Sequence, residues 1–193
     1  MNWFRSSYKS KKDEELMPLI QNGNTRAFDE IYTRYSSKML RYFHKMLNKD
    51  ENKAQDFLQD LFVKIIEKAH LYDPKKRFST WLYTLAANMC KNEYRRNAVR
   101  GSQVQLDGTP DLTAETYDCL KALDMQSFNI QLPNAINQLT EKHKTVFLLR
   151  YQQELSIKEI ALILDCSEGT VKSRIFYALK KLAIRLQAFN PIQ

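Results

Sequence analysis

The chain has 193 residues, with 30 Lys and Arg against 22 Asp and Glu. That length allows one or two domains with cores of their own, and the net charge of +8 suits a polyanionic partner. Only four Gly and five Pro punctuate stretches rich in Leu, Ala, Lys and Glu, which points to an all-α protein. No run of about 18 apolar residues occurs, so the sequence predicts a cytoplasmic protein without membrane insertion.

Residues 1–12 are polar and basic without an apolar centre, and read as a flexible basic tail, not a secretory signal. The three cysteines, Cys90, Cys119 and Cys166, lie far apart, as do His44, His70 and His143. They fit reduced thiols and isolated imidazoles, with no metal ligand set and no cofactor implied. Charge divides unevenly. Residues 1–100 carry 20 basic against 12 acidic side chains, residues 101–131 carry 1 against 5, and residues 132–193 carry 9 against 5. Two basic blocks are thus joined by an acidic segment that DNA would repel.

A helical pattern starts at Asp13 and breaks at Gly23-Asn24-Thr25, where Thr25 can cap the next helix. In that next helix Phe28, Ile31, Tyr32, Tyr35, Met39, Leu40, Phe43 and Met46 form a core stripe. A further helix over residues 52–70 turns Phe57, Leu58, Leu61, Phe62, Ile65 and Ile66 inward. Its other half carries Asp56, Gln59, Asp60, Val63 and Glu67. An acidic face on a basic block is either solvated or a docking surface for a basic protein. A catalytic metal pair at Asp56 and Asp60 lacks supporting ligands.

The loop Tyr72-Asp73-Pro74-Lys75-Lys76-Arg77 stops that helix, and Ser79 or Thr80 can cap the one that follows. Trp81, Leu82, Leu85, Ala86 and Met89 form its inward stripe; Tyr83, Thr84, Ala87, Asn88, Lys91, Tyr94 and Arg95 lie outward. Cations attract phosphate, aromatic rings stack on unpaired bases and Asn can read a base edge. The combination suits a reader of single-stranded nucleic acid; an ordinary basic helix is the plainer alternative.

Residues 100–131 break the rhythm with Gly101, Gly108 and Pro110, and form an acidic linker between domains at residues 13–99 and 132–188. Extended, such a linker spans on the order of 100 Å. Residues 189–193 are a short tail. In the second domain Thr140 can cap a helix holding Val146, Phe147, Leu148 and Leu149. Two amphipathic helices then flank Asp165-Cys166-Ser167. Ser156 and Glu159 make a capping box for the first, and Ser167 caps the second. In the second, Val171, Ile175, Ala178, Leu179 and Leu182 share one stripe. Thr170, Ser173, Phe176, Tyr177 and Lys180 face away, flanked by Lys172 and Arg174. That face suits a DNA major groove, and the pair reads as a helix-turn-helix.

Three stretches together resemble the sigma-70 family, specifically its extracytoplasmic-function (ECF, group 4) members. AQDFLQDLFVKII is similar to their region 2.2, RFSTWLYTLAANMCKNEYRR to regions 2.3 and 2.4, and the segment from LPNAINQLTEKHKTVFLLRYQQ through EGTVKSRIFYALKKL to region 4. The resemblance implies a dissociable specificity subunit of bacterial core RNA polymerase that directs promoter recognition, melting and transcription initiation, without being an enzyme. It implies polymerase docking through Asp56, Gln59, Asp60, Phe62 and Val63. It assigns the promoter −10 element to Tyr72, Lys75, Lys76, Arg77, Ser79, Asn88, Lys91, Arg95 and Arg96. The −35 element falls to Thr170, Lys172, Ser173, Arg174, Phe176, Tyr177 and Lys180. The acidic linker matches the segment that threads toward the polymerase channel.

Two departures from the family stand out. Trp81 stands alone in its helix where housekeeping members carry a tryptophan pair, and its inward position predicts a core role. Tyr177 occupies a position that is often basic. Many family members are held by an anti-sigma protein, so the resemblance extends to that class of partner. A spacer of roughly 17 base pairs sets the two elements on the order of 60 Å apart. The competing reading is a stand-alone helix-turn-helix regulator of LuxR-like type, which would need a dimer to match half-sites; a nuclease or recombinase would need a constellation the sequence lacks.

Overall fold

The computed structural model describes residues 6–102 and 125–186, and these are helical throughout apart from short connections. The first unit comprises α1 (Ser6–Lys9), α2 (Asp13–Gln21), α3 (Thr25–Met46), α4 (Glu51–Glu67), a short 3-10 turn at Ala69–Leu71, and α5 (Phe78–Ser102). The second comprises α6 (Met125–Asn137), α7 (Glu141–Tyr151), α8 (Ile157–Leu164) and α9 (Glu168–Arg185). Helix α5 therefore runs past the expected domain edge at residue 99, and α6 begins inside the segment read as linker. Residues 103–124, the bulk of that linker with Cys119, lie outside the described residues, as do residues 187–193. Among the described residues no helix is long and apolar enough to cross a membrane.

Apolar periodicity sets the first core. Leu16 and Met17 of α2, Ile31, Met39 and Phe43 of α3, Leu61 and Ile65 of α4, and Phe78, Leu82 and Ala86 of α5 are wholly buried. Aromatic edges hold the layers in register: Phe43 meets Phe57 at 5.5 Å, and Tyr35 meets Phe78 at 5.2 Å. In the second unit Val146, Leu148, Leu149, Ile160, Val171 and Ala178 make the equivalent core, with α7 against α9 and α8 beside both.

Several local expectations are corrected. Asn24, not Thr25, caps α3, its Oδ1 accepting from the Ala27 N–H at 3.0 Å; the amide side chain sits one residue earlier, where the backbone is extended. Helix α5 starts at Phe78, before either expected cap, and the Phe78 N–H donates to Glu14 Oε1 of α2 at 3.0 Å. A tertiary carboxylate replaces a local hydroxyl. Thr140 precedes α7 without capping it, because its hydroxyl meets His143 Nδ1 at 3.0 Å instead. The segment expected to be a flexible tail is bound from Tyr8 onward. The Arg34 guanidinium donates to the carbonyls of Tyr8, Lys9 and Lys11 and pairs with Asp13 at 2.6 Å.

The two units touch, chiefly α5 on α8 and α3 on α7. Tyr83 and Ala87, expected to face outward, are 4% and 6% exposed because Tyr83 packs on Tyr42 and meets the connection between α7 and α8, while Ala87 borders Ile163 and Leu164 of α8. Tyr83 Oη donates to Gln153 Oε1, and Arg77 pairs with Glu159 at 2.6 Å.

Candidate protein and nucleic-acid interfaces

Asp50 starts α4 by accepting from the Lys53 N–H at 3.0 Å, which fixes the phase of the helix. Asp56, Gln59, Asp60 and Val63 then emerge on one exposed side. Phe62, assigned to the same surface, is 4% exposed and lies 4.7 Å from the Tyr32 ring and 5.9 Å from Phe28. It is a core residue that supports the face from beneath. Ile66 and Tyr32 go the other way: placed in the core by their spacing, they are 53% and 45% exposed. Ile66 lies one turn beyond Val63, itself 52% exposed, so the acidic stripe carries an apolar edge that the sequence only half disclosed. Asp56 and Asp60 form no ion pair among the described residues.

The loop before α5 is built by short polar contacts. Asp73 Oδ1 accepts from the Lys75 N–H at 3.0 Å, and the Asp73 carbonyl accepts from Lys76 N–H at 3.0 Å. This turn projects Lys75, Lys76 and Arg77 into solvent. Tyr72 does not join them. Its ring is 7% exposed, 5.3 Å from Trp81 and 6.1 Å from Phe78, and its hydroxyl donates to the Lys76 carbonyl at 2.5 Å. Burial, followed by Glu14 and Asp13 nearby, raises its phenol well above the ordinary value, so it stays neutral. Tyr72 anchors the basic loop from inside. Trp81 is half-buried against the core, near its expected place.

Along α5, Asn88, Lys91 and Arg95 are exposed, and Ser79 is half-buried. Arg96 pairs at 3.0 Å with Glu93, whose carboxylate also takes Lys53. Of the cations assigned to this surface, Arg77 and Arg96 are thus engaged within the chain.

In the helix-turn-helix both expected caps form. Ser156 Oγ accepts from the Glu159 N–H at 3.2 Å while Glu159 Oε2 accepts from the Ser156 N–H at 2.9 Å. Ser167 Oγ accepts from the Thr170 N–H at 3.1 Å. Between them Asp165 takes φ of 48°, a left-handed turn that a short polar side chain tolerates. On α9, Lys172, Ser173, Phe176, Tyr177 and Lys180 are exposed. Thr170 and Arg174 are half-buried, the first held by the Ser167 hydroxyl at 2.9 Å, the second beside Cys166 Sγ at 4.0 Å. Phe176 is 62% exposed and its ring lies 5.5 Å from Tyr177. Tyr177 in turn lies 6.3 Å from His143, an imidazole that burial and the cations Lys181, Arg174 and Lys142 hold below its ordinary value. His143 gave no sequence signal, because its neighbour is 34 residues away in the chain. Leu179, expected on the inward stripe, is 41% exposed.

Between the units, Leu71, Trp81, Lys76, Arg77, Lys158 and Leu162 help line a groove of about 780 Å³.

Comparison with known proteins gives a consistent result. Residues 31–100 match the family described as Sigma-70 region 2, and residues 129–182 match Sigma-70, region 4. The chain is 30% identical over 187 residues to the RNA polymerase sigma-H factor of Pseudomonas aeruginosa, covering 92% of this chain and 95% of the relative. It is 29% identical over 175 residues to the ECF RNA polymerase sigma factor SigW of Bacillus subtilis, covering 87% and 93%. Its fold matches that of CnrH in complex with the cytosolic domain of CnrY, with a TM-score of 0.67, 23% identity and coverage of 92% and 99%. It also matches RpoE in complex with the anti-sigma factor NepR from Bartonella quintana, with a TM-score of 0.63, 22% identity and coverage of 83% and 96%.

Proposed function

The chain belongs to the sigma-70 family, in its extracytoplasmic-function group, and from that premise we propose how its surfaces divide the work. As an ECF sigma factor it binds core RNA polymerase and directs promoter-dependent initiation; it is a non-catalytic subunit acting in the cytoplasm. The domain at residues 13–99 docks on polymerase through Asp56, Gln59, Asp60 and Val63, with Ile66 extending the contact and Phe62 supporting it. The same domain meets the −10 element through Lys75, Lys76, Arg77, Asn88, Lys91 and Arg95. The domain at residues 132–188 meets the −35 element through Lys172, Ser173, Phe176, Tyr177 and Lys180, with Thr170 and Arg174 at the edge.

One observation carries the docking assignment. An exposed acidic stripe with an apolar edge stands on a basic domain without an ion pair from within the chain, among the described residues. With no cation of the described residues neutralising Asp56 or Asp60, a basic protein surface can supply the countercharge while Val63 and Ile66 bury apolar area against it. The −10 assignment rests on exposed cations beside exposed Asn88, the −35 assignment on a capped recognition helix with two exposed aromatic side chains. The interdomain groove, apolar at Leu71, Trp81 and Leu162 and edged by Lys76, Arg77 and Lys158 beside Asp73 and Glu159, is the surface we assign to an anti-sigma protein.

Run-off transcription with core polymerase on a genomic fragment library tests the reading. Discrete transcripts that require the chain are expected, with weak promoter binding by the free protein. Tight, specific footprints by the free chain, together with no transcripts, would instead support a stand-alone regulator.

A further inference from the structure

The proposed DNA surfaces are not apart in this structure; they share a seam. Asn88 and Lys91 of α5 line the same cleft of about 100 Å³ as Arg174 of α9. Arg77 is tied to Glu159. With Asn88, Lys91 and Arg174 bordering one cleft, the two readers lie too near each other to engage promoter elements separated on the order of 60 Å along a duplex. On the functional reading above, on which this inference rests, the arrangement is an off-DNA state.

The seam itself is built to come apart. Lys144 of α7 is 0% exposed, and its ammonium donates at 2.9 Å to Asn48 Oδ1, which belongs to the first unit. Among the described residues no carboxylate pairs with it. A buried ammonium held by one neutral acceptor gives up most of its hydration, a cost that opening to water would remove. The surrounding seam is also imperfect. Gln152 Oε1 is buried in it without a hydrogen-bond partner among the described residues, as is the hydroxyl of Tyr42 beneath Tyr83. The contacts opposing separation are modest. Arg77–Glu159 is a pair whose arginine is 75% exposed, and exposed pairs contribute little; Tyr83–Gln153 is one hydrogen bond between neutral groups.

We infer that Lys144 is a built-in opener: its buried charge destabilises the closed arrangement, which Arg77–Glu159 and Tyr83–Gln153 hold as a weak latch until polymerase separates the units. Burial pushes the Lys144 ammonium down to about 8, in keeping with that cost. At neutral pH the closed state must therefore keep a poorly solvated cation. Removing the charge is expected to favour the closed over the open form by roughly tenfold or more.

Small-angle scattering of the free full-length chain tests this with variants outside the proposed DNA and polymerase contacts. Glu159→Gln keeps the Ser156 capping box, which accepts Gln as well as Glu, yet loses the pair with Arg77. Tyr83→Phe removes only the hydroxyl. The double variant is expected to scatter with a larger radius of gyration than the wild type, and adding Lys144→Met is expected to restore compactness. A double variant as compact as the wild type overturns the latch. A triple variant that stays extended overturns the opener, provided circular dichroism shows undiminished helix; Lys144→Gln, which also removes the charge, repeats the measurement if Met impairs folding. Transcription separates the two levels of inference. If no variant yields transcripts with core polymerase, the functional reading fails whatever the scattering; transcripts alongside unchanged scattering sink the latch alone.

Discussion

The outer faces of α4 and α5 look alike in sequence, each the polar side of an amphipathic helix, and the fold treats them oppositely. On α4, Asp56, Gln59, Asp60 and Val63 stand free in solvent. On α5, the second unit covers Tyr83 and Ala87, and the basic loop at its start is tied across the seam through Arg77. Local periodicity says which side of a helix leaves its own core. It does not say whether a second unit will close over that side. The difference has a functional corollary: the surface assigned to polymerase is accessible in the closed arrangement, while the two DNA surfaces, though largely exposed, are held side by side with Asn88, Lys91 and Arg174 on one cleft. Docking on polymerase can therefore come before separation of the units.

The largest effect is expected on α4. Asp60→Lys reverses a charge that forms no ion pair among the described residues, so the fold should be untouched. Affinity for core polymerase is expected to fall roughly tenfold or more, measured by competition against labelled wild type. Unchanged affinity would return the face to mere solvation. A smaller effect is expected on the recognition helix. Lys172→Ala and Lys180→Ala should each weaken promoter binding by the reconstituted holoenzyme and lower the slope of log affinity against log salt by about one, as loss of one phosphate contact does. A slope that does not move removes that lysine from the DNA face. Phe176→Ala, in contrast, should weaken binding without changing the slope.

Much of the fold was legible because its signals are local. The helices follow apolar spacing, and the Ser156–Glu159 box and the Ser167 cap involve residues three apart. What escaped was long-range. The Glu14 carboxylate starts α5 from 64 residues away, whereas the nearby hydroxyls of Ser79 and Thr80 are the only capping signals that local sequence offers. Arg34 binds three carbonyls of a segment whose composition alone suggests a tail. Of the site residues, exposed lysines and Asn88 lie where the pattern put them, because polar residues on one face need no partner to be read. Phe62 is buried as its spacing predicts, so the docking role that the resemblance implies for it is one of support from beneath; Tyr72 sits in a loop, where spacing carries no signal and only its neighbours Trp81 and Phe78 decide that it turns inward.

The start of α5 should respond to a change at its distant carboxylate. Glu14→Gln leaves an acceptor for the Phe78 N–H but removes the charge at the helix N-terminus. A loss of about 0.5–1 kcal/mol is expected in denaturant unfolding. Because the loop from Lys75 to Arg77 leads directly into α5, its amide hydrogen exchange should rise as well.

The smallest effect belongs to the far end of the same helix, where the exposed reading face gives way to structure. Glu93 is 6% exposed and receives Lys53 and Arg96. The Lys53 hydrogen bond first, opposed by partial desolvation and aided by the charges of Lys53 and Arg96, holds its carboxyl below the ordinary value. A depressed folded-state value means the unfolded chain takes up the proton first on acidification. The stabilisation is therefore present above the ordinary carboxyl range and is lost as pH falls through the folded value. Glu93→Gln should be less stable than the wild type at neutral pH, and the gap should narrow as pH drops below about 4. Thermal unfolding measured across that range checks it. A gap independent of pH would show that Glu93 acts by packing and not by charge, and would leave Arg96 free to join Arg95 on the nucleic-acid face.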